Sequence, residues 1–256
     1  MRFNDKVVLV TGGSQGIGEA VCRRFAGEGA IVAVVASSSV DKAQGVADSI
    51  VADGGRASAH VCDVADVAAV TALVAEVVDR HGRIDIAVNA AGVFYPTRVG
   101  ETDEAMFDRM CDINLKGVFF LCDAVAQHMI ARGGGGRIVN FGSAAGVSGR
   151  ANYIVYATTK AGVIHMTRSF GVALAPHGIH VNAIAPGNTA TPMNENVRTE
   201  PEYEEIRQTI ARVTPSERLF APAHEIAGAA LFLASEDANA MYGTTMLMDE
   251  GVNAGY

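Results

Sequence analysis

Apolar and polar positions along the chain follow two rhythms. Short apolar runs recur at residues 7–10, 31–35, 57–61, 84–89, 137–141, 180–184 and 245–248. Between them, apolar residues return with a helical period at residues 18–27, 40–51, 67–81, 103–131, 151–175 and 224–234. An apolar run without alternation marks a strand buried on both faces, whereas a period near 3.6 marks a helix with one apolar side. Strands and helices in regular alternation predict a parallel sheet covered on both faces. The expected fold is therefore α/β, a doubly wound, Rossmann-type sheet in three layers, folded as a single domain over residues 1–256. No internal repeat or linker interrupts the pattern, and the glycine run 133–136 reads as a helix-to-strand loop.

In such a sheet a ligand lies across the carboxyl ends of the strands, so the residues just past each strand are read first. After the first run comes Thr11-Gly12-Gly13-Ser14-Gln15-Gly16-Ile17-Gly18. A strand that passes through a glycine-rich turn into a helix N-terminus lets backbone N–H groups and the helix dipole face a pyrophosphate. The spacing of Gly12, Gly16 and Gly18 differs from the common G-x-G-x-x-G. After the second run, Ala36-Ser37-Ser38-Ser39 carries no carboxylate. A ribose 2′-phosphate would meet no like charge there and could accept hydrogen bonds from Ser37 and Ser38. No arginine or lysine stands at that turn, so NADP(H) is favoured and NAD(H) stays possible. Asp63 and Val64, past the third run, suit an adenine edge and an apolar wall, although aspartate there also caps helices. Asn89, Ala90, Ala91 and Gly92, past the fourth, leave room for the adenosine ribose or simply form a turn. Asn114 is a polar residue at an otherwise helical position, where it can also bond a neighbouring backbone group.

The chemistry concentrates between Ser143 and Lys160. Tyr156 and Lys160 are four apart, so on a helix their side chains share one face. A free phenol, with a pKa of about 10, is a poor proton carrier at neutrality. A neighbouring ammonium stabilises the phenolate and lowers that value toward the range general acid–base catalysis needs. Ser143, following the run 137–141 and Gly142, can place a hydroxyl beside the phenol to orient a substrate oxygen.

Composition narrows the class. Hydrophobic residues make up 49%, with 28 glycines and no tryptophan, which suits a packed α/β protein with many strand–helix turns. The net charge of −8 argues against nucleic acid and against an anionic membrane surface as partners. Cys22, Cys62, Cys111 and Cys122 form no C-x-x-C pair and no histidine stands at zinc-ligand spacing, so buried thiols and no metal site are expected. Neither a signal peptide nor a membrane span is visible, and the expected location is the cytoplasm.

Taken together, these elements resemble the short-chain dehydrogenase/reductase family over essentially the whole chain. The matching elements are the TGxxxGxG turn at residues 11–18, NNAG as Asn89-Ala90-Ala91-Gly92, the helix asparagine Asn114, the serine Ser143, YxxxK as Tyr156 and Lys160, and the turn Pro186-Gly187. Ala90 departs from the family's second asparagine. The resemblance implies a catalytic tetrad. Tyr156 exchanges a proton with the substrate oxygen, Lys160 depresses its pKa and holds the nicotinamide ribose, Ser143 fixes the carbonyl, and Asn114 anchors a water leading to Lys160. It also implies cofactor contacts from Ser14, Gln15, Ile17, Pro186, Gly187, Thr189 and Thr191, substrate contacts from Asn188 and Met193, and a homotetramer paired through long helices. A substrate lid is expected over about 189–213, carrying the acidic residues Glu195, Glu200, Glu202, Glu204 and Glu205, which read as a solvated helix face. A tail ending at Tyr256 is expected near a neighbouring subunit's site.

Function follows as NAD(P)-dependent hydride transfer on a small ketone or secondary alcohol. One alternative is a 3-oxoacyl-(acyl-carrier-protein) reductase, with Arg132, Arg137 and Arg150 as positive charge for an acidic carrier. Gln15, Pro176 and His177 stand where carrier-using reductases commonly place arginine, and the lid is acidic, so the free small substrate is preferred. A second alternative is a non-catalytic dinucleotide-binding sensor.

Overall fold

The computed structural model describes residues 1–254, and the Tyr256 tail lies outside the described residues. Seven parallel strands form the main sheet in the order β3-β2-β1-β4-β5-β6-β9. They are β1 (Val7–Thr11), β2 (Ile31–Ala36), β3 (Arg56–Val61), β4 (Ile86–Asn89), β5 (Gly136–Phe141), β6 (Ile179–Pro186) and β9 (Thr245–Met248). A second pairing joins β7 (Thr189–Ala190) to β8 (Ala221–Pro222). The order reverses between β1 and β4, and that reversal opens the crevice where ligands bind in such sheets.

Alternate residues of β1 face opposite layers. Val8 and Val10 pack with α1 (Gly16–Gly27), α2 (Val40–Ala52) and α9 (Ala223–Ala234). Val7 and Leu9 pack with α3 (Val67–His81), α5 (Gly117–Arg132) and α6 (Ile154–Leu174). This two-sided burial is why the strands read as unbroken apolar runs. The amino ends are pinned by Asp85, which accepts from Val7 N at 2.9 Å and pairs with Arg83 and Arg132, each at 2.8 Å. Burial works to raise the Asp85 pKa, but the Val7 N–H and the two guanidinium groups outweigh it and hold the carboxyl below its usual range.

Two expectations change. The stretch 103–131 is not one helix: α4 (Glu104–Cys111) runs into a π-helical segment, Asp112–Lys116, before α5. The lid holds two short helices, α7 (Glu195–Thr199) and α8 (Glu204–Val213), in which no residue is buried. The four thiols are free, and burial raises Cys62 to about 11 and Cys122 to about 12, so neither is a ready nucleophile. Among the described residues no helix is long and apolar enough to cross a membrane.

Candidate active site

Strand β5 ends at Phe141, and the chain then turns through Gly142 and Ser143 into a short 3-10 turn, Ala144–Gly146. That turn lies directly on α6: a Cβ on Gly146 would stand 2.7 Å from the Ala161 nitrogen. Only glycine allows this approach, and it brings Ser143 to the turn of α6 that carries Tyr156 and Lys160. Ser143 is buried and its Oγ accepts from Ala145 N at 3.1 Å. Lys160 is 5% exposed; its Nζ donates to Phe141 O at 2.8 Å and lies 5.8 Å from the centre of the Tyr156 ring. The two side chains share one helix face, as the spacing predicts.

Their ionisation differs from the expectation. Burial raises the Tyr156 phenol above its ordinary value, and only its contact with the Ser143 hydroxyl pulls the other way. Burial lowers Lys160 to about 8. The protein's own groups therefore keep Tyr156 protonated at neutrality, poised as an acid rather than a base.

Asn114 sits in the π-helical segment, fully buried. Its amide does not bond a near neighbour in the chain. It accepts from Val93 N at 2.8 Å and donates to Val93 O at 2.9 Å, pairing with the loop after β4 as a strand would. A Cβ on Gly92 would stand 3.3 Å from Asn114 Oδ1 and 3.7 Å from Lys160 Nζ, so the three groups meet at one spot. π-Helical turns are uncommon and recur at functional sites. Here the wide turn swings Asn114 across to this loop.

The glycine turn fits a dinucleotide phosphate. Gly12 has φ +67°, and a Cβ there would meet Ala91 at 2.8 Å, which also explains the small residues at Ala90 and Ala91. Gly16 has φ +58° and Gly18 packs on the Gly12 carbonyl. Gln15, the exposed N-cap of α1, makes no side-chain cap, so the N–H groups at Gly16, Ile17 and Gly18 are open to an anion. Ser14 is partly exposed beside them, and Ser37 and Ser38 are exposed past β2. Thr191 lies 3.3 Å from a Cβ built at Gly16, so the lid begins against this turn.

Other expected contacts sort differently. Asn89 donates to Asn140 Oδ1 at 2.7 Å inside the sheet, in a buried group with Cys122, and Asn140 in turn donates to Thr167 at 3.0 Å. Its side chain therefore ties β4 to β5 instead of facing a ribose. Val64 is buried in the core, its backbone packed against Gly117, and offers no open wall to adenine. Asp63 is exposed and accepts from Ala65 N at 3.0 Å, while Asp66, not Asp63, caps α3. Gly187 fits closely on Asp249 and donates to Met248 O at 2.8 Å, fixing the Pro186-Gly187 turn to β9. Thr189 is buried, with its hydroxyl on Gly187 O at 3.3 Å, whereas Asn188 and Met193 are exposed.

Two residues that the motifs do not single out join the site. Phe94 meets the Tyr156 ring edge-on, centres 4.8 Å apart, and stacks on Tyr153 at 4.6 Å. Tyr153 is the N-cap of α6, in a β-bridge with Thr97, and its place three before Tyr156 was the signal available for it.

A family model described as short chain dehydrogenase matches residues 6–202. The chain is 39% identical to galactitol 2-dehydrogenase of Agrobacterium fabrum, over 98% of each chain. It is 38% identical to levodione reductase of Leifsonia aquatica, over 100% of this chain and 97% of that one. Among solved structures, a short chain dehydrogenase from Burkholderia cenocepacia in complex with NADP superposes with a TM-score of 0.90, at 32% identity, over 99% of this chain and 100% of the other.

Proposed function

Because the chain belongs to the short-chain dehydrogenase family, whose members are oxidoreductases, we propose that it transfers a hydride between a nicotinamide cofactor and a small, uncharged ketone or secondary alcohol, with Tyr156 as the acid–base group. The observation that carries this reading is the convergence of Ser143, Tyr156 and Lys160 on one spot, with Asn114 holding the loop opposite. When bound, the nicotinamide supplies or accepts the hydride. Gly12, Gly16, Gly18 and the open N-terminus of α1 hold its phosphates, and Lys160 and Tyr156 hold its ribose. In reduction the Ser143 hydroxyl binds the carbonyl oxygen while Tyr156, protonated at neutral pH, gives up its proton to that oxygen. Lys160, near 8, supplies the positive charge that steadies the phenolate left behind and returns a proton to it.

The carrier-protein alternative keeps Arg150, three residues before Tyr153, but loses the other two of its three docking charges. Arg132 is tied to Asp85 and Gly135 O, and Arg137 opens β5. Both stand at the amino end of the sheet, roughly 15–20 Å along the strand from Ser143 at a rise of about 3.3 Å per residue. The lid adds exposed carboxylates, while Arg198 and Arg207 are engaged within the lid itself.

The exposed Ser37 and Ser38, with no carboxylate at the turn, support NADP(H) as the preferred cofactor. An apolar strip on α5 and α6, including Phe119 and Val172, supports pairing of subunits through these helices into a homotetramer. The reading is tested by following reduced-cofactor absorbance with NADP(H) and NAD(H) separately against ketones, polyols and 3-oxoacyl thioesters. We expect NADP(H)-dependent turnover of free ketones, and Ser37→Asp is expected to swing preference toward NAD(H). A tenfold higher efficiency with NAD(H) in the parent, about 1.4 kcal/mol, contradicts the cofactor assignment.

A further inference from the structure

The approach to the Tyr156 hydroxyl is bordered by rings. Phe94 lies edge-on to Tyr156 with planes at 79°, and stacks on Tyr153 with planes at 25°. Phe94 keeps 37% of its surface exposed, and Tyr153 is partly exposed.

This pair is held in place before any substrate arrives. Asn114 clamps Val93 by both backbone groups, next to Phe94. Thr97 then zips the same loop to the start of α6. It donates from its N–H to Asn152 O at 2.8 Å, accepts on its carbonyl from Ile154 N at 3.2 Å, and accepts on its hydroxyl from Val155 N at 3.0 Å. Tyr95 donates its hydroxyl to Met106 O at 2.7 Å. The loop bearing Phe94, the cap residue Tyr153 and the helix bearing Tyr156 are therefore one rigid wall, and a rigid wall binds without ordering cost.

The wall has few polar groups to offer. The Ser143 hydroxyl faces the Tyr156 phenol, and Lys160, the charged side chain on the same helix face, is buried with its Nζ on the Phe141 carbonyl. Ser143 and Tyr156 are occupied by the one reacting oxygen. Beyond the Tyr153 hydroxyl the rings offer no partner, so further hydroxyls pressed against their faces would lose their water without replacement, an effect of about tenfold or more in affinity apiece.

Resting on the oxidoreductase reading above, we propose that Phe94 and Tyr153 form an aromatic platform that takes the apolar ring or chain next to the reacting carbon. The substrate is then a hydrophobic, preferably cyclic, ketone or secondary alcohol rather than a polyol. Flat aromatic faces favour such contact, and binding energy there orients the carbonyl toward Ser143 and Tyr156.

The test compares cyclohexanone with an open-chain polyhydroxy ketone of equal carbon number in the parent protein, in Phe94→Ala and in Tyr153→Ala. We expect at least a tenfold higher kcat/KM for cyclohexanone in the parent. We expect each variant to raise the KM for cyclohexanone about tenfold or more, and at least fivefold more than it raises that for the polyhydroxy ketone. A parent that prefers the polyhydroxy ketone overturns the platform, as does an equal loss for both substrates, which would make the rings mere supports for Tyr156. Ligand-observed NMR of cyclohexanone with the bound cofactor gives a reading independent of turnover. Contact signals that weaken in Phe94→Ala support the platform, and their absence in the parent rejects it. Turnover of neither ketone, with NMR contact intact, counts against the oxidoreductase reading while leaving the platform standing.

Discussion

In the wall made by the end of β5, the loop 93–97 and the start of α6, Ser143, Lys160 and Asn114 are buried and each is held by a named hydrogen bond. In the lid, α7 and α8 bury nothing, and Met193, Ile206 and Val213 keep about half their surface in solvent. The lid is tied mainly to itself. Arg207 donates to the carbonyls of Val197 and Glu200 at 2.8 and 2.9 Å, and Arg198 reaches Thr191 O at 3.3 Å. The difference separates two tasks. Proton chemistry needs groups whose positions do not depend on the substrate, whereas enclosing a substrate needs a segment whose own rearrangement costs little.

Substitutions in the wall should therefore alter chemistry and stability together, and substitutions in the lid should alter binding alone. Lys160→Met gives the largest effect, a fall in kcat of about a thousandfold. It also reveals the cost of the buried ammonium. With its pKa lowered from 10.5 to about 8, the amine opposes folding below pH 8 and ceases to do so as pH rises through this window to 10.5. Between pH 7.5 and 10, denaturant titrations should show the parent gaining about 2–3 kcal/mol relative to Lys160→Met, on top of a constant offset from the Phe141 carbonyl orphaned in the variant. A flat difference contradicts the assigned burial. Ser143→Ala comes next, with kcat/KM for ketone reduction down about a hundredfold and unfolding free energy lowered by about 1 kcal/mol through the lost cap on Ala145 N.

Asn114→Ala strands two backbone groups of Val93, and should lower unfolding free energy by about 2–4 kcal/mol and kcat by about tenfold. If activity falls while stability holds, the asparagine acts on the proton path and not through the loop. Smallest is Arg207→Ala in the lid: KM rises several-fold, kcat and the thermal midpoint stay near the parent's, and limited proteolysis within residues 191–213 quickens. An equal fall in kcat would place the lid in the chemistry and erase the contrast.

The wall's scaffold was readable in the chain because its requirements are steric and periodic. Strands buried on both faces must be apolar throughout, and Gly12 and Gly18 have no room for a side chain. Tyr156 and Lys160 were readable because four residues make one helical turn. What escaped depends on partners that only pairing reveals. Asn89 faces the sheet because β4 sets it opposite Asn140 of β5, and no local pattern announces that register. The π-helical segment escaped because apolar residues continue on both sides of Asn114 and hide one extra residue in the turn. The phenol's raised pKa escaped because the spacing of Tyr156 and Lys160 says nothing about how deeply the fold buries the hydroxyl. Phe94 escaped because its neighbours are brought together by Thr97 and Asn114 from distant elements. In the lid, Ile206, Ile210 and Val213 do mark a helix, yet exposure leaves its packing undetermined by the sequence.

The central claim, that the Tyr156 hydroxyl is the proton donor and acceptor at a nicotinamide site, is tested most directly by Tyr156→Phe. The change removes one oxygen and leaves the ring against Phe94. Reduced-cofactor consumption with the best ketone should fall by about a thousandfold or more while cofactor affinity, read by calorimetry, moves by less than severalfold. Turnover in the phenylalanine variant equal to the parent's would contradict the account.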